Sequence, residues 1–309
     1  MKVFVLAPRE DWICDRLVKE WNENFPAVST KDIKEADIIW LLAGWCWNHV
    51  PLQLLKEKKV IVTEHHIVPE KFTNQKYQNF LFRDQFVDCY HVPNEKTAAV
   101  LRKLTNKKIK IISYWYNNNL WNPIEKSKAR DSLGLKKDSF YIGSFQRDTE
   151  GSDLKTPKLE KGPDLLCDYI IRNREKIEKH GELEVLLGGW RRQYVENRLK
   201  AENIKYRLFE KTSLETLKLL YASCDLYIVS SRYEGGPQAI IESAAMNTPI
   251  ISTDVGIAKD VLSSNCIIDI EKEYYIPTLE DVSFAKEKVE NLKISTHGKK
   301  FINLFKETI

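Results

Sequence analysis

Short apolar runs alternate with longer amphipathic segments along nearly the whole chain, and that alternation limits the fold more than any other feature. It is the pattern of parallel strands covered by helices. Strand patterns fall at Lys2–Leu6, Asp37–Leu42, Lys59–Thr63, Val87–His91 and Ile109–Ile112. Helical patterns between them include Trp12–Asn24 and Glu95–Leu104, the latter with Asn94 placed as its N-cap. The stretch Tyr114–Pro123, YWYNNNLWNP, extends neither element and reads as a connection. The alternation then starts again. Strand patterns lie at Phe140–Ser144, Leu183–Leu187, Lys205–Phe209, Leu226–Val229, Pro249–Ser252 and Cys266–Ile268. Helical patterns occupy Lys126–Leu133, Asp164–Lys179, Trp190–Glu202, Leu214–Ser223, Gln238–Met246, Leu279–Leu292 and Gly298–Thr308. A chain of 309 residues suits two such domains better than one core. The expected class is α/β, two tandem Rossmann-like domains with a ligand cleft between them.

The formal charge of +4 is too mild to indicate nucleic acid as a partner. Arg102, Lys103, Lys107, Lys108 and Lys110 form a local basic cluster. It reads either as a solvated helix end or as a face for anionic lipid or phosphate, which leaves weak peripheral membrane contact open. Six scattered cysteines with no CxxC pair read as buried thiols in a reducing compartment. MKVFVLAP is too short for a signal peptide and reads as a first strand, and no apolar run approaches the length that spans a bilayer. A cytoplasmic protein is expected.

Ligands of open parallel sheets bind beyond the carboxyl ends of the strands, so chemistry is sought there. The stretch Ser230–Gly256 is the richest. Glu234, Gly235, Gly236 and Pro237 form a turn into a helix, with Gln238 in its first turn and Glu242 one turn further on. Glycines allow close backbone approach, and helix-start N–H groups attract anions or sugar hydroxyls. The plain alternative makes Glu234 a cap and Glu242 an exposed residue. Lys161-Gly162-Pro163 opens the Asp164 helix, where a lysine and backbone donors can hold a diphosphate; it can equally be a solvated lysine. Arg147 follows the strand Phe140–Ser144 as a second cation, or is simply a loop arginine within the polar segment Arg147–Glu160. Gly188-Gly189 could admit a ligand or form an ordinary turn. In the first half, Glu64-His65-His66 follows the strand Lys59–Thr63, and adjacent strand residues point to opposite sides, so one histidine is expected to face a ligand. Their spacing suits no zinc motif. Trp45 and Trp47 fit either sugar stacking or core packing. There is no Walker-A sequence, GxGxxG, HExxH, DxD pair or nucleophile elbow.

Glu234-Gly-Gly-Pro-Gln-Ala-Ile-Ile-Glu242 resembles the E-x7-E signature of the retaining glycosyltransferases of family 4. The continuation Ser243 to Gly256 is similar to that family's EAMAxGxPVIATxxGG run, and Lys161-Gly162-Pro163-Asp164-Leu-Leu to its KGxDLL helix opening. The likeness covers about Phe140–Leu262 well and the first half more weakly, where Val62-Thr-Glu-His65 looks like the strand end with the family's active-site histidine.

The resemblance implies the GT-B architecture of glycosyltransferases, with residues 1–122 as acceptor domain and 123–293 as nucleotide-sugar domain. Residues 294–309 would be a helix crossing back to the first domain. It further implies a retaining, metal-independent transferase of carbohydrate biosynthesis, hexosyltransferase-type. A UDP-, GDP- or ADP-sugar would be the donor and a glycan, lipid-linked or other hydroxyl the acceptor. Glu234 and the Gly235–Gly236 backbone would face donor sugar hydroxyls, with Pro237, Gln238 and Gly188 lining the donor. Glu242 would bond the ribose, Lys161 and Arg147 would neutralise the diphosphate, and His65 would contact the sugar near the reacting carbon. The sequence departs from the family in the loop Ala7–Trp12, which lacks a glycine pair, in His66, where aspartate is common, and in the long insertion before Lys161. Two other readings remain: a non-catalytic nucleotide-sugar or glycan-binding protein, and a nucleotide-sugar epimerase or hydrolase on the same fold.

Overall fold

The alternation folds into two five-stranded parallel sheets, one of order β1-β2-β3-β4-β5 and the other β10-β9-β6-β7-β8. The computed structural model describes residues 1–9 and 13–309, so the expected helix start at Trp12 and the end of the Ala7–Trp12 loop lie outside the described residues. One compact unit comprises Met1–Asn117 with Leu292–Ile309, and the other Asn118–Asn291.

The first unit runs β1 (Val3–Leu6), α1 (Ile13–Asn24), β2 (Ile38–Leu41), α2 (Leu52–Glu57), β3 (Lys59–Thr63), α3 (Asn74–Asp84), β4 (Cys89–Val92), α4 (Glu95–Leu101) and β5 (Lys108–Ile111). The strand order looks sequential until the edge is inspected. Val3 also bridges Ser29 in parallel, with Val3 N–H on the Val28 carbonyl at 2.8 Å. Thus α1 carries the chain to one side of β1 and β2 carries it to the other, which makes β1/β2 the point where the winding reverses. Alternate residues serve opposite faces. Ile39, Leu41, Val60, Val62, Tyr90 and Val92 pack with Leu55, Phe80, Ala98 and Leu101 of α2, α3 and α4.

The second unit runs α5 (Lys126–Leu133), β6 (Ser139–Ser144), α6 (Pro163–Arg172), α7 (Arg174–Ile177), β7 (Glu182–Gly188), α8 (Gln193–Ala201), β8 (Lys205–Phe209), α9 (Leu214–Ser223), β9 (Leu226–Val229), α10 (Gln238–Ala245), β10 (Ile250–Ser252), α11 (Ala258–Val261) and α12 (Leu279–Glu290). Its winding reverses between β6 and β9. Ile142, Val185, Leu187, Leu226, Ile228 and Ile251 meet Leu166 and Ile170 of α6 and Val195 and Leu199 of α8 in one aliphatic core.

The last helix, α13 (Ile294–Lys306), belongs to the first unit. Phe301, Leu304 and Phe305 are all buried. Trp40 of β2 lies 5.2 and 5.3 Å from the Phe301 and Phe305 rings and 5.6 Å from Trp21 of α1. The helix starts before Gly298, which sits inside it: a Cβ there would overlap the Phe25 ring.

Three expectations need correction. Asp164–Lys179 is not one helix but breaks at Asn173, whose side-chain amide donates to the Tyr169 carbonyl at 2.9 Å. Trp190–Glu202 is helical only from Gln193, because Gly189 (φ 96°) and Arg191 (φ 60°) are left-handed and cannot continue a right-handed helix. Cys266–Ile268 is not a strand: the 3-10 turn Ser264–Cys266 ends there, and Ile267 makes a single bridge to Ser252.

Candidate active site

Three loops of the second unit meet where its winding reverses. The first leads from β6 to α6. Its last residues make a short 3-10 turn, Leu159–Lys161, and Gly162 then enters the left-handed region at φ 60°. Pro163 follows as the first residue of α6, where its missing N–H costs nothing. A Cβ on Gly162 would overlap the Ser230 carbonyl, so glycine is required both for the turn and for close approach of the second loop.

That second loop joins β9 to α10. Arg232 N–H and Tyr233 N–H donate to the Glu160 carbonyl at 2.9 and 3.1 Å. The Arg232 guanidinium grips Asp164 with two bonds of 2.8 and 2.6 Å. Burial works to raise the Asp164 carboxyl, but the Arg232 bonds and backbone N–H groups outweigh it and hold it below its ordinary value. The third loop, after β10, presses Gly256 (φ 51°) against the Gly235 carbonyl, and Thr253 Oγ1 donates to the Ser231 carbonyl at 2.5 Å.

Lys161 and Glu234 are joined directly at this meeting point, Lys161 Nζ donating to Glu234 Oε1, with side chains 20% and 12% exposed. Ser231 Oγ also donates to Glu234 Oε1 at 3.2 Å, and the Gln146 amide donates to the Lys161 carbonyl at 2.8 Å. A lysine and a glutamate 73 positions apart in the chain thus form one polar pair beside two helix starts. Gly235 is buried, Gly236 half-buried, and Pro237 is the N-cap residue of α10, with Gln238 its first helical residue. Glu242 is only 3% exposed, and Tyr221 O–H donates to its Oε2 at 3.1 Å. The reading of Glu242 as an exposed helix residue does not hold.

Arg147 stands apart from that pair. Its Nε donates to the Thr149 carbonyl at 2.7 Å, and its guanidinium carbon lies 5.9 Å from the Trp190 ring centroid. Gly188 ends β7 and accepts from Arg192 at 2.9 Å.

A buried ion pair between the β6 and β7 ends escaped the sequence reading. Arg192 Nε meets Asp148 Oδ2 at 3.0 Å with both side chains essentially sealed from solvent. Arg192 also bonds the Ser144 and Gly188 carbonyls, and Asp148 accepts from the Tyr194 and Val195 N–H groups that start α8. Burial raises the Asp148 carboxyl, and Arg192 pulls it back without cancelling the rise. The signal was present as opposite charges just after two successive strands, Asp148 after β6 and Arg192 after β7.

In the first unit Glu64, His65 and His66 follow β3 in a loop, so the strand alternation used to separate the histidines does not apply. His65 Nε2 donates to the Leu42 carbonyl at 2.8 Å. Its Nδ1 shares a hydrogen bond with the Tyr114 hydroxyl, and the Leu42 carbonyl, which can only accept, places a proton on Nε2. Cys14 Sγ lies 3.6 Å from Nε2. Glu64 pairs with Arg83 at 2.7 Å. Trp45 is exposed, whereas Trp47 packs on Phe82 with ring centroids 5.3 Å apart. Among the described residues no three His, Cys, Asp or Glu side chains are grouped so as to hold a metal, and no helix is long and apolar enough to cross a membrane. All six cysteines are buried free thiols.

Comparison with known proteins matches residues 155–273 to the family model for Glycosyl transferases group 1. That span holds most of the lysine–glutamate site and covers less than half of the chain. The chain is 24% identical over 184 residues to the uncharacterized glycosyltransferase MJ1607 of Methanocaldococcus jannaschii, covering 58% of this chain and 42% of that protein. It is 23% identical over 145 residues to the lipopolysaccharide core biosynthesis mannosyltransferase LpsB of Rhizobium meliloti, covering 46% and 39%. The matches therefore span about two fifths of each curated relative. Among solved structures, Anabaena Alr3699/HepE in complex with UDP and glucose superposes with a TM-score of 0.77 at 12% identity over 99% of both chains. Sucrose-phosphate synthase of Thermosynechococcus elongatus gives 0.66 at 16% identity, over 98% of this chain and 80% of its own. The fold is thus that of these GT-B proteins, two Rossmann-like parallel-sheet halves.

Proposed function

We propose that the protein is a retaining, metal-independent glycosyltransferase that moves a sugar from a nucleoside diphosphate to a hydroxyl of a glycan or lipid-linked acceptor. The observation that carries this reading is the Lys161–Glu234 pair, held beside the starts of α6 and α10 at the reversal point of the second sheet. Breaking a sugar–phosphate bond builds positive charge on the sugar and negative charge on the departing diphosphate. A lysine with helix-start N–H groups answers the second charge, and a carboxylate beside it answers sugar hydroxyls. In this reading Lys161 holds the diphosphate, with Arg147 as the further cation to join it. Glu234 and the Gly235–Gly236 backbone take the donor sugar, and Glu242 takes the ribose by exchanging its bond with Tyr221. His65 is the first unit's candidate for a substrate contact, at the carboxyl end of its own sheet. Because HepE is described with UDP and glucose, UDP-sugars are the first donors to try.

The test is turnover of UDP-, GDP- and ADP-sugars with glycan and lipid-linked acceptors in the presence of a chelator, with the product anomer read by proton NMR. The reading expects one donor to be consumed with its anomeric configuration kept. Donor binding with neither transfer nor hydrolysis would favour a non-catalytic binding protein, and an inverted product would remove the retaining mechanism.

A further inference from the structure

Three cations gather around one exposed indole at the carboxyl ends of β6, β7 and β8. Trp190 is 44% exposed. The Arg191 guanidinium carbon lies 4.6 Å from its ring centroid, and the Arg147 guanidinium carbon and Lys211 Nζ each lie 5.9 Å away. None of the three cations has an ion-pair partner among the described residues. Arg147 gives one N–H to the Thr149 carbonyl. Arg191 Nε is buried without a hydrogen-bond partner, a donor that an oxyanion can satisfy.

The backbone sharpens the point. Arg191 has φ 60° and Lys211 φ 49°, a left-handed conformation that side-chain-bearing residues rarely adopt. Glycine would hold both turns without strain and without charge. Instead two adjacent strand ends each place a cation there, and a third comes from the end of β6. Like charges gathered on two left-handed turns beside one ring suit a place that meets an anion.

We propose that Trp190, Arg191 and Lys211 form an oxyanion subsite of the second unit, taking a phosphate or carboxylate group, with Arg147 on its edge towards the diphosphate position of the donor reading above, on which this inference rests. It is distinct from the Lys161–Glu234 pair, which lies at the β6/β9 side of the sheet. Strands are spaced about 4.8 Å apart, so the end of β7 is about two spacings from that of β9. The Arg192–Asp148 pair beneath adds no net charge. The oxyanion has two chemical sources, a phosphate of a nucleotide donor or an acidic group on a second substrate.

The test titrates inorganic pyrophosphate into the full chain and follows tryptophan emission, with Trp190→Phe as the blank so that the difference reports Trp190. A saturable Trp190 response is expected, weakening as salt is raised. The double variant Arg191→Gly/Lys211→Gly should bind at least about tenfold more weakly without loss of melting temperature, since glycine suits both backbones. Asn203→Gly, another left-handed position at φ 53°, controls for backbone relief and should bind as the parent does. Repeating the titration with saturating UDP separates the sources: loss of the response assigns the subsite to the donor's own phosphates, and persistence assigns it to another acidic group. Absence of a Trp190 response, or parental affinity in the double glycine variant, would overturn the proposal.

Discussion

The two sheets finish their carboxyl ends in different currencies of interaction. In the second unit the strand ends carry charge: Lys161 on Glu234, Arg232 on Asp164, and Arg192 sealed against Asp148. In the first unit one ion pair, Arg83 on Glu64 after β3, stands beside ring bonds to carbonyls and hydroxyls. His65 is tied between Tyr114 and the Leu42 carbonyl, and His91 between Thr63 Oγ1 and the Ile112 carbonyl, above a slab of Trp21, Trp40, Trp115 and Phe301. Preorganised charge suits a site that must meet a charged leaving group, whereas a neutral aromatic interior suits a scaffold. The same sheet architecture thus supports two chemistries because different residues follow its strands.

The largest expected effect cuts at that contrast. Arg192→Met leaves Asp148 buried without its partner and should cost about 3–5 kcal/mol of stability. Phe301→Ala opens the aromatic slab and should cost a similar ~3–5 kcal/mol. Hydrogen exchange distinguishes them: each variant should lose protection in its own unit, and equal loss across both units would break the contrast. Next in size is activity. Glu242→Ala should lower turnover at least about tenfold, or ~1.4 kcal/mol of transition-state stabilisation, in a protein that remains folded.

Acid should act on two buried groups, one in each unit, with opposite sign. Complete burial lowers His91 from its ordinary value to about 3, although the Ile112 carbonyl favours the charged ring. The folded state therefore resists protonation that the unfolded chain accepts. The His91 contribution is intact above about pH 6.5 and is lost as pH falls towards 3, at up to about 1.4 kcal/mol per unit. Burial raises Asp148, so its folded form holds a proton more readily than the unfolded one, and its contribution improves as pH falls. Denaturation midpoints for parent and His91→Asn between pH 7 and 5 would check the first sign: the parent should lose stability more steeply than the variant. The smallest effect is a control outside both strand-end regions. Thr278 caps α12 in a reciprocal box with Asp281, and Thr278→Ala should cost about 1 kcal/mol with no change in activity.

Most of the strand framework was legible because parallel strands buried on both faces must be short, apolar and regularly spaced. Leu214–Ser223 and Lys126–Leu133 even carry the helix ends expected of them. The failures have specific physical origins. The edge segment at Ser29 makes one bridge, and the short run Phe25–Val28 before it is interrupted by Pro26, which hides it as a strand. Cys266 and Ile268 are apolar because they are covered, and the segment pairs only through the single Ile267 bridge. At the candidate site, Lys161 and Glu234 were named from local pattern, but their pairing depends on Gly162 letting two loops touch, which no local pattern reports. Asp148 and Arg192 were passed over because burial, the property that makes them matter, belongs to the folded chain.

The central claim is that the charged strand ends of the second unit bind a nucleotide sugar through Lys161. The most direct measurement is the melting temperature of the parent protein and of Lys161→Ala with UDP-, GDP- and ADP-sugars, since a ligand that binds only the folded state raises it. The account predicts that at least one donor raises the parent's melting temperature in a dose-dependent way and that Lys161→Ala, still folded, loses most of that rise. A folded Lys161→Ala protein that keeps the full rise, or a parent that responds to none of these donors, would contradict it.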